Sequence, residues 1–199
     1  GRSFYSPEGG LYFSASLPLE GNESNIPFIT LLAGLSVINA LEALTGIKAE
    51  LKWPNDVYFN SKKLGGILCE LVSGSNITAV VGIGINLTLT RDNIPPELRD
   101  IMTSLAAESI PVPDKKALIT GITECFDEYV YENGELYTVS DSTLEAIRKS
   151  SYSIGKRVKY TAGDTVTEGI ITNILKTGAA EITLLDGTVR EIFCGEITQ

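Results

Sequence analysis

The run Lys52-Trp53-Pro54-Asn55-Asp56-Val57-Tyr58-Phe59-Asn60-Ser61-Lys62-Lys63-Leu64-Gly65-Gly66-Ile67-Leu68 sets the reading of the whole chain. A strand over Ala49 to Trp53 ends in a polar turn, a short hairpin follows, and a strand over Leu64 to Val72 opens behind two lysines and on two glycines. Gly65 and Gly66 lack side chains, so a ligand can lie against the backbone and use its N–H groups. A lysine just before such a surface can hold an anion against it. Taken alone, Asn55-Asp56 is a turn and Gly65-Gly66 a bulge. The only tryptophan, an Asn-Asp pair, lysines and a glycine pair gathered within seventeen residues ask for more than that.

Downstream, Ile77 to Leu87 is a third strand run, joined to the second by Ser73-Gly74-Ser75-Asn76, and it carries Gly82-Ile83-Gly84-Ile85-Asn86. The two glycines share one strand face and open a slot beside the neighbouring strand. Asn86 at its end can read a purine-like edge with its amide. No third glycine opens a helix, so this is not a dinucleotide fingerprint, and close strand packing alone would also explain it.

Upstream, Leu11 to Leu17 follows a Pro-Glu-Gly-Gly turn and reads as a strand. Phe28 to Leu44 is apolar on nearly every face, with Ser24 or Asn25 as cap, Pro27 in the first turn and Gly46 as stop, which predicts a buried helix. An antiparallel meander behind a helix is the simplest assembly. Pro96 to Leu105, Asp114 to Tyr131 and Ser142 to Ser150 read as further helices, the second with Leu118, Ile119, Ile122, Phe126 and Tyr129 at helical spacing. From Ile154 the pattern becomes short β-branched runs between turns, at Arg157 to Thr161, Val166 to Ile174, Ala180 to Leu185 and Thr188 to Phe193, as in a small barrel.

Composition narrows the chemistry. A chain of 199 residues, 43% hydrophobic, holds one substantial core and a small second unit. A net charge of −9 argues against nucleic-acid binding, which needs clustered basic residues. The main basic pairs are Lys62-Lys63, Lys115-Lys116 and Lys156-Arg157. No histidine is present, which removes Ser-His and Cys-His catalysis. Cys69, Cys125 and Cys194 lack metal or disulfide spacing and read as reduced thiols of a cytoplasmic protein. Polar breaks at Thr30, Ser36, Asn39 and Glu42 argue against a membrane span. The start has neither a signal-peptide pattern nor an initiator Met and reads as that of a fragment.

The Lys52 to Leu68 run, the Gly82 to Asn86 strand, the opening Gly1-Arg2 with Ser6-Pro7 and Gly9-Gly10-Leu11-Tyr12, and the tail ending Gly195-Glu196-Ile197 together resemble bacterial biotin protein ligases in order and spacing. The resemblance implies an α+β fold: a mixed or antiparallel sheet backed by helices, a class II synthetase-like catalytic domain over residues 1–151, and a small SH3-like β-barrel over 152–199. It implies a cytoplasmic, ATP-dependent ligase that forms biotinyl-5′-AMP and transfers biotin to a lysine of a biotin carboxyl carrier protein. ATP and biotin would be substrates and Mg2+ the cofactor.

Carried over residue by residue, the resemblance makes Lys63 the lysine touching both the biotin carboxylate and the activated phosphate, with Arg2 the last arginine of the family's biotin loop. Tyr12, Gly66, Ile67, Leu68, Gly82 and Gly84 would join them in the biotin pocket. Phe4, Lys52, Trp53, Asn55, Asp56 and Asn86 would face ATP or the adenylate, Asp56 also toward Mg2+. The family's earlier loop glycines and arginines, the Ser/Thr and Gln that hold the biotin ring, and its optional N-terminal DNA-binding domain are not in this sequence. Two alternatives stand beside this reading: a lipoate or octanoate ligase or transferase of the same architecture, and a catalytically incompetent folding or dimerisation fragment. A strand edge around Leu68 to Val72 could pair with a second copy or with the carrier.

Overall fold

The structure, a computed structural model, describes residues 6–19, 26–73, 77–131, 139–162, 165–193 and 195–198. Arg2 and Phe4, the expected helix caps Ser24 and Asn25, and Cys194 lie outside them.

Five strands, β1 (Leu11–Pro18), β2 (Glu50–Lys52), β3 (Asp56–Phe59), β4 (Lys62–Val72) and β5 (Thr78–Ile85), form an antiparallel sheet in the order β1-β5-β4-β3-β2. The expected meander is there, with β3 as an extra short strand inside the expected hairpin. One face is covered by helix α1 (Ile26–Thr45). A residue without Cβ lets that helix settle: a Cβ on Gly34 would stand 2.7 Å from Leu51 Cδ2. Buried hydroxyls within α1 are satisfied by the preceding turn, Ser36 Oγ donating to Leu32 O at 2.8 Å and Thr30 Oγ1 to Ile26 O at 3.1 Å. The helix stops where Gly46, at φ +76°, returns its N–H to Glu42 O. Its length and apolarity match a membrane span, but 67% of that stretch is buried inside the fold, as in a core helix.

Helix α2 (Lys115–Val130) packs on α1 and is capped by the Asp114 carboxylate, which accepts from Ala117 N at 2.9 Å. Its buried stripe is Leu118, Ile122, Phe126 and Val130. Helix α3 (Asp141–Lys149) is capped by Ser140, accepting from Thr143 N. The expected helix over Pro96 to Leu105 is absent. Short 3-10 turns at Pro96–Leu98 and Ala106–Glu108 flank an extended strap instead. After a turn in which Ile101 N and Met102 N donate to Leu98 O, the strap bonds to the sheet: Lys63 N donates to Ile101 O and Thr103 N to Lys63 O, both at 2.9 Å, and Leu105 N to Asn86 O at 3.2 Å.

A second five-stranded antiparallel sheet follows: β6 (Arg157–Ala162), β7 (Thr165–Ile174), β8 (Ala180–Leu184), β9 (Val189–Ile192) and β10 (Glu196–Thr198), ordered β10-β6-β7-β8-β9. Apolar residues of both sheets and all three helices form one continuous cluster, from Leu11 to Ile197. Trp53 lies at their seam, 2% exposed, its Nε1 donating to Gly178 O at 3.0 Å and its backbone N donating to Ser153 Oγ at 3.1 Å.

Candidate functional site

The face of the first sheet away from α1 carries the site. Directly opposed residues on neighbouring antiparallel strands point to the same side. The register therefore sets Tyr12, Gly84, Gly66 and Asp56 in one row across four strands, and Ser14, Gly82 and Leu68 in the next. Glycines at the centre leave a floor of bare backbone, and above it opens a cavity of about 610 Å3. Its walls include Tyr12, Asn55, Lys63, Gly66, Ile67, Leu68, Gly82 and Gly84, all anticipated, together with Phe13, Ser14 and Ile83, which were not. Ser14 had a signal: it stands two residues from Tyr12, on the same face of the strand.

Lys63 reaches this face through an irregularity. The pairing of β3 with β4 runs Asp56 with Gly66 and Val57 with Gly65, then shifts to Tyr58 with Lys63. Leu64 is the extra residue, fully buried, and the bulge turns the lysine to the side occupied by Asp56. There its Nζ lies 2.5 Å from Asp56 Oδ1, both side chains partly exposed. That oxygen is buried and, among the described residues, has no hydrogen-bond partner besides this ion pair. A Cβ on Gly66 would stand 3.2 Å from Lys63 Cε and 3.3 Å from its Nζ, so the ammonium sits on the floor.

The remaining anticipated residues spread around this centre. Asn55 ties the turn to β4, Nδ2 donating to Ile67 O at 2.8 Å while Ile67 N donates to Asn55 O. Lys52 Nζ donates to Tyr58 OH at 3.0 Å and does not line the cavity. Trp53 has its indole in the seam. Asn86, 6% exposed, follows the end of β5 and donates Nδ2 to Thr103 O at 2.9 Å. Arg2 and Phe4 lie outside the described residues. Among the described residues no group of three or more His, Cys, Asp or Glu could hold a metal on its own. Asp56 is a single carboxylate beside the cavity, a donor set that fits magnesium arriving with phosphate oxygens rather than a resident ion.

A slot with one fixed ammonium, a bare backbone floor and apolar walls can bind an anion at one end of an apolar body. Comparisons with known proteins agree. The profile of the Biotin/lipoate A/B protein ligase family matches residues 1–86. Bifunctional ligase/repressor BirA of Bacillus spizizenii is 38% identical over 130 residues, 64% of this chain and 40% of that protein. The chain thus spans about two fifths of the length of this curated relative. The biotin protein ligase from Aquifex aeolicus in complex with biotin and ATP superposes with a TM-score of 0.80 at 34% identity, over 100% of this chain and 81% of that one. A second structure of the Aquifex aeolicus protein gives a TM-score of 0.82, also at 34% identity, over 96% of this chain and 81% of that one. With that identity, coverage and common fold, the chain belongs to the biotin protein ligases.

Proposed function

We propose that this chain carries the catalytic machinery of an ATP-dependent ligase that makes biotinyl-5′-AMP and passes biotin to a lysine of a biotin carboxyl carrier protein. The observation that carries the reading is the Lys63 ammonium, ion-paired to Asp56 and set on the floor at Gly66.

A carboxylate does not react with an amine until one of its oxygens becomes a good leaving group. In the proposed reaction the biotin carboxylate attacks the α-phosphorus of ATP and pyrophosphate leaves. A neutral carrier lysine then attacks the mixed anhydride; the amide forms, AMP leaves and the amine proton is lost. The first step brings two anions together, and at ~4 Å in an effective dielectric of about 20 their repulsion is about 4 kcal/mol. A preorganised ammonium between them offsets it, and backbone N–H groups of the glycine floor add to it. Asn86 is assigned to the adenine, and Asn55, Asp56 and Lys52 to the phosphate side, where Asp56 would hold magnesium that neutralises phosphate charge. Arg2 and Phe4 are assigned to the cover that keeps water from the adenylate. Residues 1–151 form the catalytic unit in this reading and 152–199 the accessory one. Beyond Gly66, β4 has no β3 partner, and Leu68, Leu71 and Val72 are exposed, which suits pairing with a carrier or a second copy.

The test is ATP-dependent pyrophosphate release with biotin, with lipoate as the competing acid, and mass detection of the adenylate. Release with biotin and not with lipoate is expected. Release with lipoate alone, or adenylate formation unchanged in Lys63→Met, overturns the reading.

A further inference from the structure

Glu108 is outside the cavity and was singled out by no motif, yet it makes two short side-chain hydrogen bonds, one to the strap just before its own turn and one to a hairpin 48 residues away. Thr103 Oγ1 donates to its Oε1 at 2.6 Å, and Asn60 Nδ2 donates to its Oε2 at 2.7 Å. The carboxylate therefore joins two elements. Asn60 is at the tip of the β3–β4 hairpin, in the left-handed region at φ +49°, followed by Ser61 at φ +62°. Thr103, 2% exposed, is the centre of the extended strap.

The strap is what Lys63 and Asn86, the residues assigned to the acid and to the base, share. Thr103 N donates to Lys63 O and Lys63 N donates to Ile101 O. Thr103 O accepts from Asn86 Nδ2, and Leu105 N donates to Asn86 O. Lys63 has a second constraint from β3, through its pairing with Tyr58 and its ion pair with Asp56. The Asn86 side-chain amide donates to the Thr103 carbonyl, so its aim depends directly on where the strap lies. Local geometry gives the strap little stiffness of its own, since it is neither helix nor regular strand and its flanking turns are single 3-10 turns. Its bonds to the sheet hold it, and the Glu108 carboxylate adds a side-chain tie to the hairpin.

We propose that Glu108 is a positioning residue that fixes the distance and angle between the Lys63 ammonium and the Asn86 amide by locking the strap to the β3–β4 hairpin. The proposal rests on the reading of Lys63 as facing the acid and Asn86 the nucleotide base. It assigns Glu108 chiefly to nucleotide affinity, because the Lys63 side chain keeps its ion pair with Asp56 when the clamp is lost, whereas the Asn86 backbone stays tied to Leu64 but its side-chain amide bonds to the strap itself.

The experiment compares the unaltered chain with Glu108→Ala, Asn60→Asp and the double variant Asn60→Asp with Glu108→Gln. Glu108→Ala removes both bonds, and Asn60→Asp sets a second carboxylate against Oε2. In the double variant the glutamine oxygen accepts from Thr103 while its amide donates to the new carboxylate, so the clamp is rebuilt with reversed polarity. Calorimetry with ATP and with biotin separately, and amide hydrogen exchange, are read for each. Each single variant is expected to weaken ATP about tenfold, the cost of one or two lost hydrogen bonds, and biotin by no more than about twofold. Exchange at the Thr103 and Lys63 amides should speed up, and the double variant should recover both readouts. Unchanged ATP affinity and exchange in Glu108→Ala, or a double variant no better than the single ones, overturns the proposal. If the unaltered chain binds neither ligand, the ligase reading fails, and the exchange data still decide whether Glu108 locks the strap.

Discussion

Lys63 and Asp56 meet as an ion pair because Leu64 is an extra residue in β4, which turns the lysine toward the face that its own position in the strand would deny it. The bulge is thus the local cause of the site's charge. Replacing the ammonium by an isosteric apolar group, Lys63→Met, is predicted to lower adenylate formation by about 10²–10³-fold, the usual effect of losing one preorganised charge-stabilising donor. Single-turnover detection of biotinyl-5′-AMP measures it, with melting temperature as the folding control.

Gly65 and Gly66 are neighbours with different duties, and alanine should separate them. A Cβ on Gly65 would stand 2.6 Å from the Gly84 carbonyl oxygen, which is backbone and cannot step aside. Gly65→Ala is therefore predicted to destabilise the fold by about 1–3 kcal/mol. At Gly66 the new atom would meet the flexible end of Lys63. Gly66→Ala should leave the melting temperature nearly unchanged and weaken biotin roughly tenfold by displacing the ammonium. Thermal melts and biotin calorimetry on the pair decide it; equal loss of stability in both would contradict the assignment.

Trp53→Phe keeps an aromatic ring in the seam and removes the N–H that reaches Gly178 O. A buried carbonyl left without its donor costs about 1–3 kcal/mol. Urea unfolding should show that loss, and the effect should be smaller in a chain where the seam is already loosened.

Burial pushes the Cys69 thiol up to about 11, with Glu70 adding to the effect and a hydrogen bond from Thr30 opposing it. The reactive thiolate at neutral pH is then about a hundredfold scarcer than in an exposed thiol, two pH units being two factors of ten. The folded protein holds the proton more tightly than the unfolded chain. The associated stabilisation is whole below pH 9 and is lost as pH rises through about 11. Alkylation at pH 8 should be slow at Cys69 in the native protein and fast in urea; rapid native labelling of that residue would refute this.

Much of the slot was legible because strand periodicity is strict: Gly82 and Gly84 share one side of β5, and Gly66 and Leu68 share one side of β4, which the pairing places on the same face of the sheet. The same rule hid the key residue, since alternation alone sets Lys63 with Gly65 and away from Gly66. Nothing in the sequence marks Leu64 as the bulged position. Pro96 to Leu105 was expected as a helix, and Ile101, Met102 and Leu105 do stand at helical spacing there, yet no helix forms. What overrode that spacing were backbone partners supplied by Lys63 and Asn86, distant in sequence. Glu108 was invisible for a related reason: its bond to Asn60 spans the β3–β4 hairpin and the strap, and no local pattern encodes such a meeting. Trp53 carried the motif that pointed to the family, while its ring is committed to the joint with the second sheet.

Because one large apolar cluster threads both sheets, they offer denaturant no line between them along which to part. Spectroscopic probes placed at opposite ends should report a common midpoint, and cutting away the C-terminal strands would expose the hydrocarbon lining of what is left instead of releasing a self-sufficient piece.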